Sequence, residues 1–187
     1  MQKSLMRIML FAGLLIVVAP GLSFGDNLIR NGGFEQAASD GTPESWQINI
    51  GRDAEADIAL DDAEKHSGKH ACKVSIAPPG GRVTLSPDKN TIKTPEPGRT
   101  YKLSFWIKSR NLDYNQFFVA PAVSANFRPS RVRPAPTVDL MANMRGAEDW
   151  KELTMTVKAP EDAQELRLNV VLTKGTVWLD DFSVTPQ

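Results

Sequence analysis

Both histidines and the only cysteine of the chain fall within ten residues, HSGKHACKVS, at 66 to 75. These side-chain types could hold a transition metal or build a Cys-His nucleophile. A zinc pair of the HExxH kind needs a helix, which puts i and i+4 on one face. Here Ser67-Gly68-Lys69 separates the histidines, and Ser-Gly is a turn signal. Zinc also needs three or four ligands in all. The nearest, Cys72, shares its parity with Val74 and Ile76, where a free cysteine behaves as a small apolar side chain. Nothing nearby marks an exposed thiol of lowered pKa. The stretch reads as a turn into a buried strand, with a metal site as its rival.

Carboxylates are the next source of chemistry. Asp61-Asp62 and Asp180-Asp181 are adjacent pairs, and neighbouring strand residues point to opposite faces, so neither forms a facing dyad. Distant acids such as Glu35 and Asp180 can meet only through the fold, as glycosidase pairs do about 5 to 10 Å apart. No GxSxG, P-loop or Rossmann glycine pattern occurs.

Aromatic and polar side chains offer binding instead. Trp106 has the opposite parity from Leu103, Phe105 and Ile107. If those three face a core, Trp106 stands on the other face of its sheet and can stack on a sugar ring. Tyr114, Phe117, Phe118 and Phe127 follow as further platforms or as packing beneath loops. Asn115, Gln116, Asn126 and Arg128 are candidate partners for hydroxyls. Residues 128 to 136, RPSRVRPAP, gather three arginines and three prolines. That composition reads as an exposed loop, or as a rim whose guanidinium forks hold a polar ligand.

The elements that must position these groups are strands. ACKVSIAP, TYKLSFWIKS, ELTMTVKAP, ELRLNVVLT and TVWLDDFSVTP alternate or carry strand composition, with Pro, Gly, Asn and Asp between them. Such runs predict an antiparallel sandwich or barrel. PEPGRT and TKGT read as turns. PEDAQELR could begin a short helix before the strand LRLNVVL. Asp180 shares strict parity with Trp178, Phe182 and Val184, an apolar set where a carboxylate needs a partner.

Residues 1 to 25 carry Lys3 and Arg7, a short apolar run, and small residues Ser23 and Gly25 before Asp26. This is the pattern of a secretory signal peptide, with an uncleaved anchor as the alternative. A single domain over 26–187 is expected, exported to periplasm, cell surface or medium, without membrane insertion after cleavage. The 22 acidic residues of the chain would face 20 basic ones once Lys3 and Arg7 are removed. That balance argues against a nucleic-acid binder. One cysteine cannot form an internal disulfide, so stability must come from the core or from a metal.

Three stretches taken in order, NLIRNGGFEQ with GTPESWQ, then HSGKHACKVS, then the run from TYKLSFWIKS to TVWLDDFSV, resemble carbohydrate-binding modules of the cellulase-C type, families 4, 9 and 22. The resemblance spans about Asn27 to Thr185 and is weakest over 111 to 147. It implies an all-β, two-sheet antiparallel jelly-roll sandwich, galactose-binding-like, that holds a polysaccharide or oligosaccharide on a concave face or edge loops. It implies that HSGKHACKVS is structural and that Trp46 and Trp150 pack. It also implies a structural calcium ion held by Glu35 and by Asp180 or Asp181, with carbonyls near Gly33 and in the Ser67 to Lys69 turn. Parity favours Asp180, and calcium suits such an oxygen set. Such modules are usually appended to glycoside hydrolases, and no catalytic partner is expected in this chain. The expected function is non-catalytic glycan binding. The rivals are an adhesion module for an envelope protein partner and a small glycan hydrolase or lyase.

Overall fold

The computed structural model describes residues 27–113, 120–144 and 149–187. Its strands are β1 (Trp46–Ile50), β2 (Ala56–Asp61), β3 (Ala71–Ile76), β4 (Val83–Pro87), β5 (Thr100–Arg110) and β6 (Ala122–Arg128). After these come β7 (Thr137–Asp139), one helical turn α1 (Leu140–Met144), β8 (Lys151–Lys158), β9 (Glu165–Leu172) and β10 (Gly175–Pro186). They form two five-stranded antiparallel sheets, ordered β1-β4-β9-β6-β7 and β2-β3-β10-β5-β8. This is the two-sheet β-sandwich of the jelly-roll class. PEDAQELR forms a turn closed by Ala163 N–H to Pro160 O before β9, not a helix.

Alternation builds the core. Val83 and Leu85, then Leu166, Leu168, Val170 and Leu172, face inward from the first sheet. Cys72, Val74, Leu103, Phe105 and Ile107 face them from the second. Phe182 joins the two layers, stacked on Phe105 at 4.8 Å and edge-on to Trp46 at 5.2 Å. Burial also pushes the Cys72 thiol pKa up, so it stays a neutral packing group. A Leu103→Ala or Leu168→Ala change would cost about 2–5 kcal/mol, as such cavities do.

Strict parity fails in β10. Its register against β5 shifts between Asp180 and Ser183, and Asp181 has a φ of 50°. The extra residue of this bulge reverses the pattern. Val177 and Leu179 face the core before it, Phe182 and Val184 after it. Asp180 therefore shares a face with Trp178 but not, as alternation alone implied, with Phe182 and Val184. Both Asp180 and Trp178 are still buried, because the loop after β2 covers that outer face.

Candidate functional site

The two outer faces differ. Over the second sheet, the segment from Asp61 to His70 folds back on β3, β10 and β5. Trp178 Nε1 donates to Asp61 Oδ2 at 2.9 Å. Lys108 meets Glu64 at 2.7 Å, and Arg110 lies 3.6 Å from the same carboxylate. The His66 ring stacks on Trp106, with centroids 3.7 Å apart, and Trp150 meets it edge-on at 5.8 Å. Trp106 does stand opposite the core, as its parity implies, but one ring face is already taken by His66.

The same turn closes on three carboxylates. Asp180 Oδ2 accepts the backbone N–H groups of His66 and Ser67 at 3.0 and 3.1 Å. Its Oδ1 accepts Asp181 N–H at 2.8 Å. Asp181 bonds His66 Nδ1 at 2.7 Å and accepts Ser67 Oγ–H at 2.8 Å. Glu35 accepts the N–H groups of Lys69 and His70. Burial pushes the Asp180 carboxyl up to about 6; its three N–H bonds oppose the rise and the Asp181 charge adds to it.

These residues include those implied for calcium. A methyl on Gly33 would lie 3.5 Å from Asp181 Oδ1 and 4.0 Å from both Asp180 Oδ1 and Glu35 Cγ. The donor chemistry is that of a calcium site. In this arrangement the turn meets the carboxylates with N–H groups; an ion would take its carbonyl oxygens instead. Among the described residues, no three His, Cys, Asp or Glu side chains are grouped to hold a metal. As arranged, Glu35, Ser67, Lys69, Asp180 and Asp181 form a hydrogen-bonded clasp beside Gly33.

The outer face of the first sheet is open. Inward Val83 and Leu85 leave Thr84 and Ser86 outward, and β1 adds Gln47 and Asn49 beside them in register. Asn169 of β9 stands opposite Ser124 of β6, and Ser86 Oγ donates to Asn169 Oδ1 at 3.0 Å. Gln47, Asn49, Thr84 and Ser124 have no side-chain hydrogen bond to other described residues. Gln47, Asn49, Gly51, Arg82, Thr84 and Ser86 line a groove of about 760 Å³, within the size range of ligand clefts. A second groove adjoins it, where Gln47 and Ser86 meet Lys89, Glu165, Arg167 and Asn169.

Of the residues expected to bind, Asn126 and Arg128 lie on this face, at the C-terminal end of β6. The Asn126 amide is engaged, accepting Val132 N–H at 2.9 Å and donating to Val132 O at 3.4 Å. Phe127 is corrected: it is 1% exposed and packs in the core, because β6 alternation turns it inward. Trp106 is on the other sheet. Tyr114, Asn115, Gln116, Phe117 and Phe118 lie outside the described residues. Sequence reasoning missed Gln47, Asn49, Thr84, Ser86, Ser124 and Asn169. The signal was present in QIN, TLS, SAN and RLN, where outward positions carry mostly amides and hydroxyls.

Comparisons agree with this architecture. The family described as carbohydrate binding domain, CBM_4_9, matches residues 26–176. A solved CBM4 structure superposes with a TM-score of 0.56 at 23% identity, covering 85% of this chain and 99% of that one. The enzymatically active domain of tailspike protein 4 from bacteriophage CBA120 superposes at 0.61 and 14% identity over 86% of this chain, which spans only 21% of that one. A Stig cyclase, Fisc, from Fischerella sp. TAU superposes at 0.57 and 17% identity, over 87% of this chain and 97% of its own. At these identities the likeness is one of fold, and a fold does not fix function. No curated protein matches the sequence.

Proposed function

The chain belongs to the carbohydrate binding domain family, and from that premise we propose that the outer face of the β1-β4-β9-β6 strands holds a polysaccharide or oligosaccharide. The observation that carries the proposal is the row of uncommitted amides and hydroxyls across Gln47, Asn49, Thr84 and Ser124, with Asn169 among them. Sugar hydroxyls are both donors and acceptors, and amides match them in either role. The grooves are shallow, so bound sugar keeps much of its water and affinity is modest. Glu165 is the acid lining these grooves among the described residues, and it pairs with Arg167 at 3.1 Å. That supports binding without catalysis. Export through residues 1 to 25 belongs to the same reading and would bring the module to an extracellular or periplasmic glycan.

The test is retardation in native gels containing β-glucan, xylan, mannan, pectin or alginate. One or more polymers should slow the protein, and Asn169→Ala should release it with an unchanged melting temperature. Equal retardation of the variant would move the site elsewhere. A structural calcium ion is a second proposal, supported by the convergence of Glu35, Asp180 and Asp181 beside Gly33. It requires the 66–70 turn to give up the N–H groups it now donates. Melting in calcium against chelator checks it: a rise of several degrees supports the ion, and coincident curves leave the turn as sole partner.

A further inference from the structure

The segment after β6 brings cations to one end of the proposed glycan face. In register, Arg128 stands opposite Glu165 and Asn126 opposite Arg167, so all four share the outer side of the sheet. The chain then leaves the sheet but is tied back at once. Ser130 Oγ donates to Asp162 at 2.7 Å, Val132 is held by both ends of the Asn126 amide, and Ala125 N–H donates to Pro136 O. Arg131 therefore sits between two fixed points, beside Arg128. The Arg128 guanidinium is drawn below its ordinary pKa by desolvation and by the like charges of Arg131 and Arg167, against the pull of Glu165.

The acid that acts on Arg128 is already committed, and Asp162 beside it accepts from Ser130. Glu165 holds Arg167 through two contacts, at 3.1 and 3.2 Å. Among the described residues Arg128, Arg131 and Arg133 have no ion-pair partner, and neither have Lys89 and Arg82 in the adjoining grooves. The whole chain has 22 basic and 22 acidic residues, so this surplus is local to one face. Arg128 and Arg131, held close to each other and to Arg167, repel one another, an arrangement that an anionic ligand relieves. Guanidinium forks match carboxylate and sulfate oxygens bidentately.

Resting on the glycan-binding reading, we propose that the ligand of this face is an acidic glycan, whose carboxylate or sulfate groups are held by Arg128 and Arg131. The amides and hydroxyls of β1, β4 and β9 read the sugar, and the arginine end reads its charge.

The experiment is affinity electrophoresis of the full chain. Polygalacturonate and alginate form the carboxylate arm. Chondroitin sulfate and carrageenan form the sulfate arm. β-Glucan and xylan are neutral, and polyglutamate is an anion without sugar. The expected result is retardation by one charged arm, which names the group, weakened as salt rises. Arg128→Gln with Arg131→Glu should weaken it about tenfold, a few-fold per charge pair. Arg131 is exposed, and Arg131→Gln removes one charge alone should the double variant fold poorly. Retardation by neutral polymers only, or equally by all, would overturn the inference and leave the glycan-binding reading standing. Polyglutamate competing as well as the glycan would also overturn it. Retardation by nothing would overturn both.

Discussion

The two outer faces of this sandwich are built from the same kind of strand and treated oppositely. The face of β3, β10 and β5 carries Trp106, Trp178, Lys73, Lys108, Arg110 and Asp180, and the 61–70 segment caps it until most of these groups have a protein partner. The face of β1, β4, β9 and β6 carries smaller polar groups, and several have none. Strong chemistry, in other words, marks the closed face. An aromatic ring or a carboxylate cluster seen in a sequence is as readily a fastening as a site. Uncommitted amides are the better sign of a surface kept for something else.

Substitutions separate the faces. The largest effect is expected from Asp180→Ala, which strands the N–H groups of His66, Ser67 and Asp181. A loss of about 2–3 kcal/mol follows from leaving buried donors unpaired, which lowers the melting temperature by roughly 5–10 °C, with glycan binding at saturating stability unchanged. A comparable binding loss in a still-folded variant would break the division between faces.

Next is pH. The folded Asp180 carboxyl titrates at about 6, above the 3.8 of an unperturbed aspartate. The folded chain then binds more protons than the unfolded one between these values, so unfolding free energy falls as pH rises through that window. The contribution is present below about 4 and lost above about 6, on the order of 2 kcal/mol. Melting in chelator from pH 4.5 to 7 checks the sign. A bound cation would reverse it, since calcium requires the ionised form.

Trp106→Ala comes third. It removes the partner of the His66 ring and should cost about 1–2 kcal/mol through lost stacking and buried area, measured by chemical denaturation. Retardation by glycan should persist; its loss would return Trp106 to the ligand. The smallest effect is Thr84→Ala on the open face. Stability should stay within about 0.5 kcal/mol, while affinity falls by a few-fold as one hydrogen bond is lost.

The sandwich itself was legible because β3, β5, β8 and β9 alternate over six to eleven residues and β10 does so on either side of its bulge. The turn reading of Ser67-Gly68 held, with Gly68 at a φ of 57° where a side chain would strike Glu35. Less legible were β1, β2, β4 and β7, too short among Pro, Gly and Asp to stand out. The α1 turn rests on Asp139, whose carboxylate accepts Ala142 N–H at 3.1 Å, a local device no periodicity announces. As for the proposed face, Gln47 and Asn169 are distant in sequence and meet only through the order β1-β4-β9. Nor could parity foresee that His66 would lie over Trp106.

The bulge in β10 makes the strand a sentence read in two frames. Up to Asp180 its odd-numbered residues belong to the interior; from Phe182 its even-numbered ones do. Asp181 is the single letter that joins the frames. Striking it out would leave the sense of the strand intact, with Phe182 and Val184 still turned inward; pulling it straight into the line would turn both to solvent and write the end of the strand inside out.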